Sequence, residues 1–370
     1  MPTTVLVRRL LLLSAMLPLP AVAQSRWTLT ETLRIGGGEA GPTLFLQIRS
    51  IDADSKGRIF VYDRRTQDIR VFGPDGAFVR TIGRQGSGPG ELRNAEGIRI
   101  DQQGRIWVRD AANSRFTVFS PEGEFEKNWV MKFCWSQGTW HPQVDRQNRI
   151  VDHDCVVPTG GGRAMENVVV AYRPDFAGVD TLSPRPACGT PELGEAATWV
   201  RRSEKSTVYM SVPFAPRPIQ ALGRSGETWC APNPSRYEIL RLVPGARDTV
   251  RITREIAPVS VTKAERDSII GVFDARGPSG LDFNRIPRTK PIIEQVTIDD
   301  QGRPWVRRAN AQKVVEFDVY DTNGKPVATV AFPRVRTPGW PFIVRGEHVF
   351  TVVLDEDDVP HVVRYQIDRR

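Results

Sequence analysis

Chemistry in this chain has few residues to draw on. There are only four histidines, His141, His153, His348 and His361, and four cysteines, none in the Cys-x-x-Cys spacing of a zinc site. The triplet Asp152-His153-Asp154 holds two potential ligand types, but neighbouring side chains on a strand leave on opposite faces, so all three cannot meet one ion. The run Asp355-Glu356-Asp357-Asp358 lacks the interspersed spacing and glycine of a calcium loop and reads as a solvated turn. Gly36-Gly37-Gly38 and Gly160-Gly161-Gly162 are followed by no Gly-Lys-Ser/Thr, and no Gly-x-Ser-x-Gly elbow occurs, so phosphate-loop and serine-nucleophile chemistry are not indicated. What remains is one set of polar residues at equivalent places in a repeat: Arg49, Glu96, Trp140 with the adjoining His141, and Glu294, with Pro218 and Pro338 at the same place in two further units.

The repeat itself is explicit. Residues 82–126 follow residues 35–79 at a constant offset of 47, with about 16 of 45 positions identical. Each copy holds short β-rich runs separated by turn residues. The strongest signature is an Asp-x-x-Gly turn before a strand, at Asp54, Asp101 and Asp299; Asp145-Arg146-Gln147-Asn148 keeps it with Asn for Gly. Gly223–Trp229 and Arg345–Phe350 are degraded versions. This pattern gives an all-β chain and an expected six-bladed β-propeller, with blades at about 44–83, 92–130, 139–182, 217–254, 292–333 and 337–370. The segment 27–35 is expected to supply the last blade's missing strand and close the ring. Two long connections, about 183–216 and 257–291, interrupt the pattern. In the second, Thr262-Lys263-Ala264-Glu265 is a capping box, and a short helix over 263–273 is expected between blades four and five.

In such a ring the innermost strand of each blade lines a central channel. Arg49, Glu96, Trp140, His141 and Glu294 are therefore expected at one shared mouth, which suits a small polar or sugar-like ligand. The plain alternative is that they pair with one another and with channel water. Arginine neutralising Glu96 and Glu294 would favour binding; three or more converging oxygen or nitrogen ligands would favour a metal site.

Arg8-Arg9, the apolar run from Leu10 to Leu17 and Ala21-Val22-Ala23 read as a signal peptide over 1–23, leaving 24–370 as one domain in a periplasmic or secreted protein. No later run is long and apolar enough to span a membrane. The net charge of +8 falls to about +6 without the leader, and no block of like charge points to nucleic acid. Four cysteines in an exported chain imply disulfides with three possible connectivities, of which Cys134–Cys155 with Cys188–Cys230 is the most local.

At Gly86-Ser87-Gly88-Pro89-Gly90-Glu91-Leu92, Asn94, Gly97-Ile98, Asp101, Gly104-Arg105-Ile106, Asp110, Asn113, Arg115 and Phe119 the chain resembles the NHL repeat. The resemblance is specific in blade two, good in blade one and faint elsewhere, and its residues are architectural. It implies the fold of an exported six-bladed propeller and no active site; taken with the channel residues, the expected role is a non-catalytic scaffold for an unidentified small polar ligand or protein, with no cofactor. Lactonase-like propellers share the architecture, so the alternative is a hydrolase with a divalent cation at the channel mouth. Their ligand sets do not map residue by residue onto this chain.

Overall fold

The computed structural model describes residues 25–131, 141–156, 166–184, 188, 191–202, 207–244, 249–276, 280–310, 314–333 and 341–369. The leader, Trp140, Pro338 and Cys134, together with the side chain of Cys155, lie outside the described residues. The Cys134–Cys155 pairing therefore does too.

The Asp-x-x-Gly-Arg turn is a self-contained hydrogen-bond device. In blade two one carboxylate oxygen of Asp101 accepts from the backbone N–H of Gln103 and Arg105 at 2.9 and 3.0 Å, and the other from Arg105 Nε at 2.9 Å. Trp107 Nε1 donates to the second oxygen at 3.1 Å. Asp54, Asp145 and Asp299 repeat the arrangement. Gly104 sits at φ +82°, where a Cβ is disfavoured, and Asn148 holds the same place in blade three at φ 60°. The arginine also bridges to the next blade: Arg58 donates to Pro121 O at 2.9 Å and Arg105 to Pro174 O at 2.8 Å. The motif therefore sets the turn and fastens one blade to its neighbour.

Between these turns run four-stranded antiparallel sheets. Blade one is Ile48–Ala53, Ile59–Asp63, Asp68–Phe72 and Phe78–Ile82; blade two is Ile98–Ile100, Ile106–Asp110, Arg115–Phe119 and Phe125–Val130. Blade three is Gln143–Val144, Ile150–Val156, Glu166–Tyr172 and Val179–Pro184; blade four is Ile219–Leu222, Thr228–Ala231, Tyr237–Leu242 and Val250–Arg254. Blade five is Ile293–Ile298, Pro304–Arg308, Glu316–Tyr320 and Pro326–Ala331. The sixth sheet holds Phe342–Arg345, His348–Leu354 and Pro360–Asp368, with Ser25–Gly36 as its outermost strand. That strand runs antiparallel to Pro360–Asp368, from Thr28 opposite Asp368 to Gly36 opposite His361, while Ser25–Trp27 pair in parallel with 328–330 of blade five. The chain is a β-propeller.

The core lies between blades, which is why second strands begin with consecutive apolar residues, as Ile59-Phe60-Val61 and Ile106-Trp107-Val108 do. Phe60, Tyr62, Ile69 and Val71 of blade one meet Ile98, Ile106 and Val108 of blade two. Trp107, Phe116 and Val118 face Val144, Ile150 and Tyr172 of blade three. Ile35, Phe45 and Ile51 share a cluster with Ile343, Phe350 and Val352. Among the described residues the apolar contact between blades three and four is a small one, formed by Val151, Val169, Ala171 and Leu222.

The Cys188–Cys230 disulfide, Cα–Cα 5.8 Å, ties the segment after blade three to the second strand of blade four. It spans 42 residues, and a loop of that size is worth about 2–4 kcal/mol in the folded state. Cys188→Ser should cost that amount in urea unfolding; an unchanged midpoint would show that the bridge constrains nothing.

The described parts of the two long connections lie outside the blade sheets and pack onto each other. The hairpin Thr198–Arg202 with Thr207–Ser211 packs against the helix Lys263–Arg276 through Trp199, Met210, Ile269, Ile270 and Phe273. Thr262 and Glu265 exchange hydrogen bonds at the helix start, and Lys290 Nζ reaches the same carboxylate at 2.7 Å. No described helix is long and apolar enough to cross a membrane.

Candidate functional site in the central channel

The six innermost strands converge on a cavity of about 410 Å³, within the usual size of small-molecule sites. Its wall mixes apolar side chains such as Ile51, Leu222 and Phe342 with hydrogen-bonding ones, Ser50 from blade one, Gln143 from blade three, Gln220 from blade four, Gln295 and Thr297 from blade five, and with the carboxylates of Asp152 and Glu294. Gln295 Nε2 donates to Thr297 Oγ1 at 2.9 Å, which fixes the amide.

His141 and Glu294 line this cavity; Arg49 and Glu96 are not among its lining residues. Glu294 is held by Arg307 at 2.8 Å, an ion pair from the second strand of its own blade. Glu96 is buried against Arg109 at 3.1 Å, and the same guanidinium, fully buried, reaches Asp152 of blade three at 2.8 Å. Glu96 and Glu294 are thus each ion-paired with arginine rather than gathered around a common point, Glu96 sharing its guanidinium with Asp152. Arg49 is part-buried nearby; burial and then Arg64 lower its basicity, with Glu96 opposing. Each glutamate precedes its arginine by 13 residues, Glu96 to Arg109 and Glu294 to Arg307. That spacing carries the side chain across a tight turn to the paired strand and was a readable signal.

Burial, then the charges of Arg99 and Arg49, push the His141 imidazole down to about 3. It is therefore a neutral hydrogen-bonding group at physiological pH. Because its folded value lies below the unfolded one near 6.5, protonation on acidification opposes folding. The His141 ring-proton NMR shifts should stay constant from pH 8 to pH 5, whereas a midpoint near pH 6.5 would mean that the ring is solvated.

In blade three Asp152 and His153 both border the cavity, and Asp154 does not. Asp152 accepts from Arg109, His153 lines the cavity, and Asp154 accepts from Tyr172 Oη at 2.8 Å. Asp355 accepts backbone N–H groups of Asp357 and Val359 and pairs with His361 Nε2 at 2.9 Å, so the acidic run is a turn built on its first residue. Among the described residues no three His, Cys, Asp or Glu side chains are grouped to hold a metal ion.

The floor of the cavity was not anticipated. Asp52, fully buried, accepts from Arg345 Nη2 at 2.8 Å and from the N–H groups of Ile100 at 2.8 Å and Ala53 at 2.9 Å. Arg99 lies 3.6 Å from the same carboxylate and donates to Gln143 Oε1 at 3.3 Å. Burial raises the Asp52 carboxyl, but Arg345 and Arg99 outweigh it and leave it below the usual carboxylate range. Burial and the neighbouring Arg345 bring Arg99 down to about 9, still protonated at neutral pH. Arg99, Gln143 and Arg345 also line a second, outer cavity of about 780 Å³ on the side of the Asp-x-x-Gly turns, so they form the partition between the two. An arginine between Ile98 and Ile100 on an innermost strand was the clue in the sequence.

Comparison with known proteins agrees with this architecture. Residues 43–146 match the model of a family described as a six-bladed β-propeller. A protein from Bacteroides fragilis, proposed to be exported, is similar over 94% of this chain and 96% of its own, with 13% identity and a TM-score of 0.50. Virginiamycin B lyase from Staphylococcus aureus, bound to quinupristin, aligns over 91% of this chain and 99% of its own, with 12% identity and a TM-score of 0.45. No curated protein matches the sequence. At 13% identity the likeness to the Bacteroides fragilis protein is one of fold.

Proposed function

We propose that this chain is an exported propeller of the NHL type, six-bladed and closed by its N-terminal strand, that binds a small polar ligand in its channel without transforming it. One observation carries the reading: both carboxylates proposed for the channel mouth are ion-paired with arginine, while the cavity wall beside them offers amides and hydroxyls. Paired carboxylates are poor general bases and poor metal ligands, because using them exposes an uncompensated guanidinium. Neutral donors and acceptors on a rigid sheet suit recognition. His141 and Glu294 are the contact residues of this reading; Glu96 and Arg49 support the wall from behind. Export is supported by the Cys188–Cys230 disulfide and by the Bacteroides fragilis neighbour.

A thermal-shift screen of small polar compounds tests the proposal, run on the protein and on Gln220→Trp, which fills the cavity. Compounds that raise Tm in the first should lose their effect in the second. Metal analysis and a lactone and ester screen test the hydrolase alternative: turnover dependent on a bound divalent cation would replace the binding reading.

A further inference from the structure

We propose that the channel cavity takes a small polyhydroxylated monocarboxylate, its carboxylate seated on the guanidinium groups of Arg99 and Arg345. The inference rests on the channel-binding reading above and adds the charge class of the ligand.

Charge at the floor does not balance. Arg99 and Arg345 share one acid, Asp52, whose oxygens are already engaged by Arg345 and by the N–H groups of Ala53 and Ile100. Arg99 is only 7% exposed, it borders the cavity, and its Nε meets no hydrogen-bond acceptor among the described residues. Arg224 and Asp300 lie next to this cluster and offset each other, and the wall carboxylates Asp152 and Glu294 are held by Arg109 and Arg307, so among the described residues of the floor the guanidiniums exceed the carboxylates by one. A buried guanidinium with unused donors is stabilised most by a planar anion that accepts two N–H bonds at once.

Two features narrow the class. The surplus is a single charge, and Asp52 stays within the cluster, so a dianion such as phosphate meets repulsion that a carboxylate largely avoids. Above the floor the wall supplies Ser50, Gln220, Gln295 and Thr297, which match hydroxyl groups, between apolar residues such as Leu222 and Phe342, which match the carbon faces of a sugar. A sugar acid fits both the floor and the wall.

Isothermal titration calorimetry tests this with sodium D-glucuronate and sodium D-gluconate as probes, against D-glucose and sodium phosphate. At least one sugar acid should bind one-to-one, about tenfold or more tighter than glucose or phosphate, and more weakly as salt is raised. Arg99→Gln should abolish that preference. Thr297→Val leaves the ion cluster intact and should weaken the sugar acid several-fold, which keeps the test valid if the arginine variant does not fold. Glucose binding as tightly as both sugar acids, with the loss in Thr297→Val retained, would overturn the charge assignment and leave the polar pocket standing. Absence of binding by every probe would overturn the sugar-acid class, and the Gln220→Trp screen would then decide the pocket by itself.

Discussion

Replacing Arg109 with methionine should cost about 3–5 kcal/mol of folding stability, measured by urea denaturation. The side chain is fully buried and serves two acids at once, Glu96 of its own blade and Asp152 of the next. Methionine preserves much of the volume but leaves two carboxylates without their shared cation in a site that water does not solvate. The cost is that of uncompensated charge rather than of a lost contact. Adding Glu96→Gln to the variant should therefore recover part of the loss, because one of the stranded charges is removed. A decrease below about 1 kcal/mol in the single variant would mean that water or another cation reaches these acids and that the wall behind the cavity is not dry.

Asp52→Asn should be of similar size, again about 3–5 kcal/mol, by the reverse logic. Here two guanidiniums, Arg99 and Arg345, lose the acid between them. The pH dependence gives an independent check. The folded-state value of Asp52 lies below its ordinary one, so its stabilisation is fully present above about pH 4 and is lost as pH falls through the folded value. The native protein should lose stability over that acid range more steeply than Asp52→Asn. Parallel acid limbs for the two proteins would show that Asp52 is not the charge that fastens the floor.

Legibility in the sequence followed the range of the interactions. The Asp-x-x-Gly-Arg turn could be read because its main partners lie within six residues, as Asp101, Arg105 and Trp107 show. The repeat at 47 residues then implied a propeller. Charge pairing was harder: Glu96 meets Arg109 across a turn, and Arg109 meets Asp152 only after a blade has been completed. Hardest of all was Arg345, which belongs to a degraded turn in the sixth sheet and finds Asp52 across 293 residues of sequence. No local pattern encodes that contact; it exists because the first and sixth sheets lie side by side. For the same reason the sequence ranked Glu96 with Glu294, although one is sealed behind the wall and the other borders the cavity. Equivalent positions in a repeat share backbone geometry, and their exposure depends on the neighbouring blade.

The most direct measurement is a crystal structure of the protein soaked in a mixture of small polar compounds, sugar acids among them. Ordered ligand density is expected inside the channel cavity, hydrogen-bonded to Gln220, Gln295 or Thr297, with both glutamate–arginine pairs intact. Ligand bound only on the outer surface, or Glu96 and Glu294 turned inward onto a common metal ion, would contradict it.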